Sequence, residues 1–396
     1  MTISDAIRYV GVNDTDIDLF ESQYPVPHGV SYNSYLLLDD KIALLDTVDK
    51  RKYDDWAAKV DAVLDGRTPD YIVVHHLEPD HAGSLQMTIE KYPGATLVLS
   101  AKALAMLPQF FDLPAGTKTL SVKEGDTLEL GQHTLTFVMA PMVHWPEVMV
   151  TYEKTEKILF SADAFGSFGA VDGNIFADEI DDKVAWLSEA RRYYTNIVGK
   201  FGMSVQGLLK KAAGLEIRMI CPLHSVIWRE DLPWLIDKYL KWSSYTPEEK
   251  SVTIAYGSVY GHTEKAADIL AGKLAHRGIR HISVFDVSKT HPSYIIADAF
   301  RTSAIVFASI TYNGGIFCNM DTLLHQLAAH GLTNRTAALI QNGTWAATTS
   351  KQMGEILGTM KNIHVLESDV TIKSALKDNQ EAELDALADA IAASLQ

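Results

Sequence analysis

The chain has 396 residues, 47% of them hydrophobic and 21% charged, with a formal net charge of −15. That length exceeds a single hydrophobic core and predicts two domains, and the composition is that of a globular protein. The acidic balance without a basic run argues against nucleic acid as a partner. No apolar run nears the roughly 20 residues of a membrane helix, and MTISDAIRYVGVND lacks a signal peptide's basic start and apolar core, so a cytoplasmic protein is expected.

In chain order, YNSYLLL (32–38), KIALLDTV (41–48), YIVVHH (71–76) and ATLVLS (95–100) read as strands alternating with helical stretches. Consecutive strands are predicted from about 118 to 162, and helix from about 183 to 213. This mixture points to an α/β or α+β sandwich. At WSSYTPEEKSVTIAY (242–256) a polar stretch gives way to a β-rich one, which sets domains at 1–249 and 250–396. Beyond the seam, VTIAY, HISVFDV, SAIVFASI, AALIQN and NIHVLES alternate with helices, and the last helix carries Leu384, Leu387, Ile391 and Leu395 on one stripe. Five strands in this rhythm predict a doubly wound parallel sheet. The two cysteines, Cys221 and Cys318, form no CxxC pair, so no rubredoxin-type iron site, zinc ribbon or dithiol centre is encoded. A one-electron donor must then come from another chain.

The segment HHLEPDHAGS (75–84) concentrates potential metal ligands directly after a strand. His76, Glu78, Asp80 and His81 sit where a loop can turn odd and even positions toward the same ions, which a regular strand cannot do. His144, Asp163 and His224 follow other strands, giving four imidazoles and three carboxylates. Seven ligands are too many for one tetrahedral site and suit two ions sharing a bridge. Each histidine alone would be an ordinary core or surface residue; the full set predicts a metal centre. His75 is read as pointing away from the ions, and His28 as a possible neighbour of the ligands.

In the second domain, Ser258-Val259-Tyr260-Gly261-His262-Thr263 lies between a strand and a helix, where amides and hydroxyls suit a phosphate. Neither GxxxxGK[ST] nor GxGxxG is present, so a single terminal phosphate, as in FMN, fits best. Two later loops, Ser309-Ile310-Thr311-Tyr312-Asn313-Gly314-Gly315 and Asn342-Gly343-Thr344-Trp345, stand at the strand ends where an isoalloxazine ring would lie.

The metal residues resemble the HxHxDH loop of the metallo-β-lactamase superfamily, with Glu78 replacing the second histidine. An anionic oxygen donor there favours iron over zinc. Such a domain followed by a flavodoxin-like one resembles a flavodiiron protein, also called A-type flavoprotein, across nearly the whole chain. The resemblance implies an N-terminal αββα sandwich and a C-terminal flavodoxin-like sheet. It implies two irons, with His76, Glu78 and His144 on one, Asp80, His81 and His224 on the other, and Asp163 bridging. FMN, reduction of dioxygen to water or nitric oxide to nitrous oxide, and a head-to-tail homodimer or dimer of dimers are implied as well. So is an external donor, a rubredoxin-like protein or reduced deazaflavin. The ending at Gln396 resembles the minimal form. Tyr193 or Tyr194 would donate a hydrogen bond to bound substrate, although either is equally an ordinary core aromatic. Two departures stand out: Ser309-Ile310-Thr311 replaces a frequent Ser-Pro-Thr, and Glu147 follows HWP where many relatives carry aspartate. The alternative is a binuclear zinc hydrolase with an accessory flavin domain, and a third reading is an FMN-only electron carrier or gas sensor.

Overall fold

The computed structural model describes residues 1–396, which divide into two compact units. The first comprises residues 1–194 and 203–240, the second residues 195–202 and 241–396.

Two sheets face each other in the first unit. One runs in the order Ile7–Tyr9, Tyr35–Leu37, Ala43–Leu45, Tyr71–Val73, Thr96–Ser100 and Lys118–Val122, the last four strands parallel. The other runs Thr127–Glu129, Thr134–Met139, Met149–Glu153, Ile158–Phe160 and Met219–Cys221. Leu37, Leu45 and Val73 of the first sheet share a core with Phe137, Met149 and Phe160 of the second. Leu36, Leu44 and Ile72 alternate with them and are also fully buried, which is why these strands read as unbroken apolar runs.

Several elements are shorter than their sequence signal. YIVVHH is a strand only over Tyr71–Val73, because Asp46 takes the His75 amide and draws the chain off the ladder. The expected loop at 77–81 continues into one helical turn, Pro79–Ala82, with Pro79 at its start. The helix predicted from 183 to 213 breaks in the middle. Lys183–Tyr193 passes into a π-helical turn, Tyr194–Val198, then Gly199–Phe201 and a second helix, Gly202–Ala212. Such turns mark functional positions in many helices.

The second unit is a parallel sheet ordered Ser283–Asp286, Glu249–Gly257, Thr302–Tyr312, Arg335–Asn342 and Ile363–Val365. In chain order that is 2-1-3-4-5, the flavodoxin arrangement. Helices His262–His276 and Glu381–Ser394 pack Leu270, Leu274, Leu384, Leu387 and Ile391 on one face. Helices Pro292–Arg301, Cys318–Ala329 and Thr349–Leu357 cover the other with Ile295, Phe300, Leu323 and Met353. The predicted fifth strand, NIHVLES, stops at Val365. A polar turn follows, and Val370–Ile372 pairs with the same neighbour further along.

Candidate metal centre and flavin pocket

His76 and Glu78 come from the segment after Tyr71–Val73, and Asp80 and His81 from the helical turn beside it. His144 follows Thr134–Met139, Asp163 follows Ile158–Phe160, and His224 follows Met219–Cys221. All seven are buried at the carboxyl ends of these strands. Their donor atoms fall into two groups: His76, Glu78, His144 and Asp163, and Asp80, His81 and His224, each within 4.8 Å. Asp163 Oδ2 lies 3.2 Å from His76 Nε2 and 3.1 Å from His144 Nε2. Its Oδ1 lies 3.7 Å from His81 Nε2 and 3.9 Å from His224 Nε2, so one carboxylate faces both groups.

The chemistry of this donor set fits two metal ions. His81 Nε2 and His224 Nε2 stand 3.1 Å apart, close to the spacing of two ligands at right angles about an ion with bonds of roughly 2.1 Å. The His224 Nδ1–H donates to the Ser31 carbonyl at 2.8 Å, which fixes the tautomer and turns the Nε2 lone pair inward. Both oxygens of Asp80 and of Asp163, and His76 Nε2, are buried without a hydrogen-bond partner. Polar atoms left so cost a few kcal/mol each unless something ligates them.

The electrostatics carry the same signature. Burial would raise the Glu78 carboxyl, but His144 and His76 hold it well below the usual range. Against burial, His76 and His144 likewise hold Asp163 low. Burial disfavours a charged His144, yet Glu78 and Asp163 push it up to about 10. Burial and the nearby His224 hold His81 well below the ordinary imidazole value, while burial and the charge of Glu78 raise Asp80 to about 6. Perturbation of this kind concentrates at functional sites.

Five further residues singled out in the sequence fall differently around the cluster. Tyr193 packs its ring 5.3 Å from His224, and its hydroxyl is buried with no partner. Burial and the charges of Asp163, Glu78 and Asp80 hold that phenol well above its ordinary value. Tyr194 instead packs on Tyr239, at 5.1 Å. His75 turns away from the cluster, as read from the sequence: its Nδ1 pairs with Asp46 and its Nε2 meets Thr151 Oγ1 at 2.8 Å. Glu147 is buried and accepts from the Leu77 amide at 3.0 Å, between two ligand-bearing residues. His28, by contrast, is exposed, and only its carbonyl is engaged, by the Ala170 amide.

Sequence reasoning missed Glu21. It sits at the tip of the hairpin Leu19–Phe20/Tyr24–Pro25 with φ of 49°, and its carboxyl reaches that of Glu78. Loss of hydration and the Glu78 charge raise it to about 7. Glu21, Arg51, Glu78 and Asp80, with Leu19 and Phe20, line a pocket of about 510 Å³ that carries charged groups and opens onto the cluster. The only local signal was a turn-like ESQ in an aperiodic stretch.

In the second unit the three segments expected to face a flavin meet at the carboxyl ends of adjacent strands. Ser258–Gly261 leads into His262–His276, whose start no side chain caps, leaving first-turn amides for an anion. Gly261 has φ of 82°, and Ser258 Oγ accepts from its amide at 3.1 Å. The stretch read as a loop at 309–315 is a hairpin. Thr311 and Tyr312 pair with Ile316 and Gly315 around Asn313-Gly314, both at positive φ, as an Asn-Gly turn requires. With isoleucine in place of proline, residue 310 stays in register opposite Asn342. Asn342 spends its side chain on Thr263 and Ser374 and so ties two of the segments together. Gly343 admits no side chain, since a Cβ would meet the Ala346 carbonyl at 2.1 Å. Around this rim, Trp345 is 93% exposed and Tyr260 85%, with Val259 and Tyr312 partly exposed. Aromatic faces open to solvent beside an uncapped helix start fit a flavin phosphate ester.

Residues 30–225 match the family described as ODP family beta lactamase. The chain is 30% identical over 94% of its length to the anaerobic nitric oxide reductase flavorubredoxin of Vibrio vulnificus, covering 74% of that protein. Among solved structures it is similar to rubredoxin oxygen:oxidoreductase from Desulfovibrio gigas, with 29% identity and a TM-score of 0.91 over 100% of this chain and 98% of that one. It is also similar to the flavodiiron protein from Giardia intestinalis, with 26% identity and a TM-score of 0.91 over 99% and 97% of the two chains. The likeness spans the lactamase-like and flavodoxin-like folds together, and neither a zinc hydrolase nor a lone flavin carrier accounts for both: this chain is an oxidoreductase of the flavodiiron protein family.

Proposed function

We propose that this chain reduces dioxygen to water, nitric oxide to nitrous oxide, or both, at a diiron centre supplied with electrons through FMN. The observation that carries the reading is the pair of buried donor groups facing opposite oxygens of one carboxylate, Asp163. His76, Glu78 and His144 would hold one iron, Asp80, His81 and His224 the other, with Asp163 between them. The phosphate of FMN would lie on the Ser258–Thr263 segment, and Tyr260, Trp345 and the hairpin at Thr311–Gly315 would frame its ring, joined by Gly343 and Thr344. When bound, the iron pair supplies open coordination positions and two electrons, and reduced FMN supplies two more.

The chain's own groups prepare that chemistry. Ser31 aims His224, and Glu147 fixes the backbone between His76 and Glu78. Tyr193 offers an unpaired hydroxyl to an oxygen or nitrogen atom bound beside His224, and its raised value keeps the proton on the phenol at neutral pH. Glu21 holds a proton that can be exchanged near neutrality at the mouth of the charged pocket. The proposal includes an external donor, a rubredoxin-like protein or reduced deazaflavin, and a head-to-tail homodimer or dimer of dimers.

The test is anaerobic reduction of purified protein followed by parallel measurement of dioxygen and nitric oxide consumption, with iron and FMN quantified on the same sample. Two irons and one FMN per chain with consumption of at least one gas are expected. Full cofactors with neither gas consumed would sink the reading.

A further inference from the structure

A second cavity in the first unit lies on the outer face of the lactamase-like sandwich, away from the charged pocket. It holds about 650 Å³ and runs from an exposed rim to a buried floor; we call it the funnel. Arg218, Arg229, Glu230 and Asp231 stand at an exposed rim, and the walls inside are almost wholly aliphatic. Its floor is the buried set Leu159, Phe165, Leu209 and Ile220. Leu159 and Ile220 are the outward-facing members of their strands, whose inward neighbours Phe160 and Cys221 join the inter-sheet core.

The floor is also the back wall of the metal site. Phe165 lies two residues after Asp163, its ring is 4.3 Å from Tyr239, and its amide donates to the Tyr239 hydroxyl at 2.6 Å. A side chain on the next residue, Gly166, would meet His224 Cβ at 3.3 Å and the Tyr193 ring at 3.5 Å. The Tyr239 phenol, raised chiefly by burial, also feels the charge of Asp163. The funnel floor at Phe165 and the ligand Asp163 therefore belong to one short segment, packed on Tyr239 on one side and on His224 and Tyr193 at the next residue.

We propose that this funnel is the access route for the gaseous substrate, and that protons and product water use the charged pocket at Glu21 and Arg51. The inference rests on the gas-reducing reading above. Dioxygen and nitric oxide are small and nearly apolar, so they leave water for a hydrocarbon-lined cavity, whereas hydrated ions and water do not. The two openings differ in degree in this respect. One mixes Glu21, Asp49, Arg51, Glu78 and Asp80 with Ile17, Leu19 and Phe20, whereas the other carries charge only at its rim and is walled inside by leucine, isoleucine and alanine.

Xenon is a fitting probe, since dry apolar cavities bind it. Crystals of the iron- and FMN-loaded protein under xenon pressure should show a site against Phe165 and Leu209. Leu209→Trp fills the floor, and Ala213→Trp, on the exposed rim, closes the mouth without disturbing the core. In each variant the xenon site should vanish and kcat/KM for the gas should fall by about threefold to tenfold, with kcat at saturating gas, iron and FMN unchanged, the mark of slowed encounter rather than altered chemistry. No xenon in the funnel of the parent protein, or unchanged kcat/KM in both variants, would overturn the route while leaving the gas-reducing reading standing. Protein that consumes neither gas would overturn both.

Discussion

Glu78 shows what a single side chain decides. It stands where hydrolases of this fold carry histidine, and the structure gives it His144 at 2.8 Å and His76 at 3.5 Å. An anionic oxygen amid imidazoles suits iron, whose higher oxidation state gains from added negative charge. The set of candidate ligands was legible because each follows a strand and carries the right donor atom. Glu21 was not, since its meeting with Glu78 joins residues 57 apart through a turn without periodicity. The same charges make a test at this scale. His144 is held at about 10 against an ordinary imidazole value near 6.5. Folding therefore strengthens its hold on a proton, and that stabilisation is whole below about 6.5 and lost as pH rises through about 10. Glu78 and Asp163, held low, stay ionised throughout and add no slope, whereas Glu21, raised to about 7, acts in the same direction as His144. Chelator-treated protein should accordingly melt at a lower temperature at pH 9 than at pH 7. His144→Gln should lessen the dependence, the rest of which stays with His76, likewise held, against burial, well above its ordinary value by Asp163 and Glu78. Iron-loaded protein, whose His144 ring would bind metal instead of a proton, should not show the loss.

At the scale of elements, the strand ends were less legible than the strands. YIVVHH has the composition of a longer strand, but a tertiary contact ends it at Val73: Asp46 accepts the His75 amide and pairs with its ring. His75 then reaches Thr151 in the opposite sheet, so an Asp–His–Thr chain ties the ligand-bearing segment to both layers. This gives the sequence's unexplained extra histidine a role in holding its neighbour, His76. Removing the ring leaves the Asp46 carboxylate buried beside a void. His75→Ala should cost about 2–5 kcal/mol, for a cavity and a buried acceptor left without its partner, and iron content should fall with it. Thr151→Val removes only the far hydrogen bond and should cost about 1–3 kcal/mol with iron retained. Chemical denaturation with iron analysis on each variant checks both, and equal iron loss in the two would show that the ring's contact with Asp46 is not what holds the loop. The Asn313-Gly314 hairpin was legible in principle, since Asn-Gly between extended residues is a strong turn signal. Reading those residues only as flavin contacts hid it.

The whole molecule joins a fold that can hold metal to a fold that can hold flavin, and their rhythm differs enough to be read directly. Strand runs alternating with helices gave the doubly wound parallel sheet but not its strand order, and the sandwich likewise needed its long-range pairing, Ile158–Phe160 beside Met219–Cys221, to be known. What joins the two chemistries is a matter of assembly. If copies pair head to tail, the flavin of one chain serves the metal centre of the other, and two separately disabled chains can repair each other. His224→Ala should abolish the second metal group while sparing the flavin unit. Gly343→Val should disrupt the flavin rim, where a Cβ has only 2.1 Å to the Ala346 carbonyl, while sparing the metal. Each variant alone would be inactive in every pairing. In a symmetric dimer formed from an equal mixture, half the pairs are mixed, and each mixed pair contains one intact flavin facing one intact metal centre. After dissociation and reassociation, gas consumption should recover to about one quarter of the parent protein's rate. Flavin that served its own chain's metal would restore nothing, because neither variant holds both centres. Iron, FMN and oligomeric state measured on the mixture separate that outcome from failed exchange, and the recovered rate then reports which chain's flavin feeds which chain's metal.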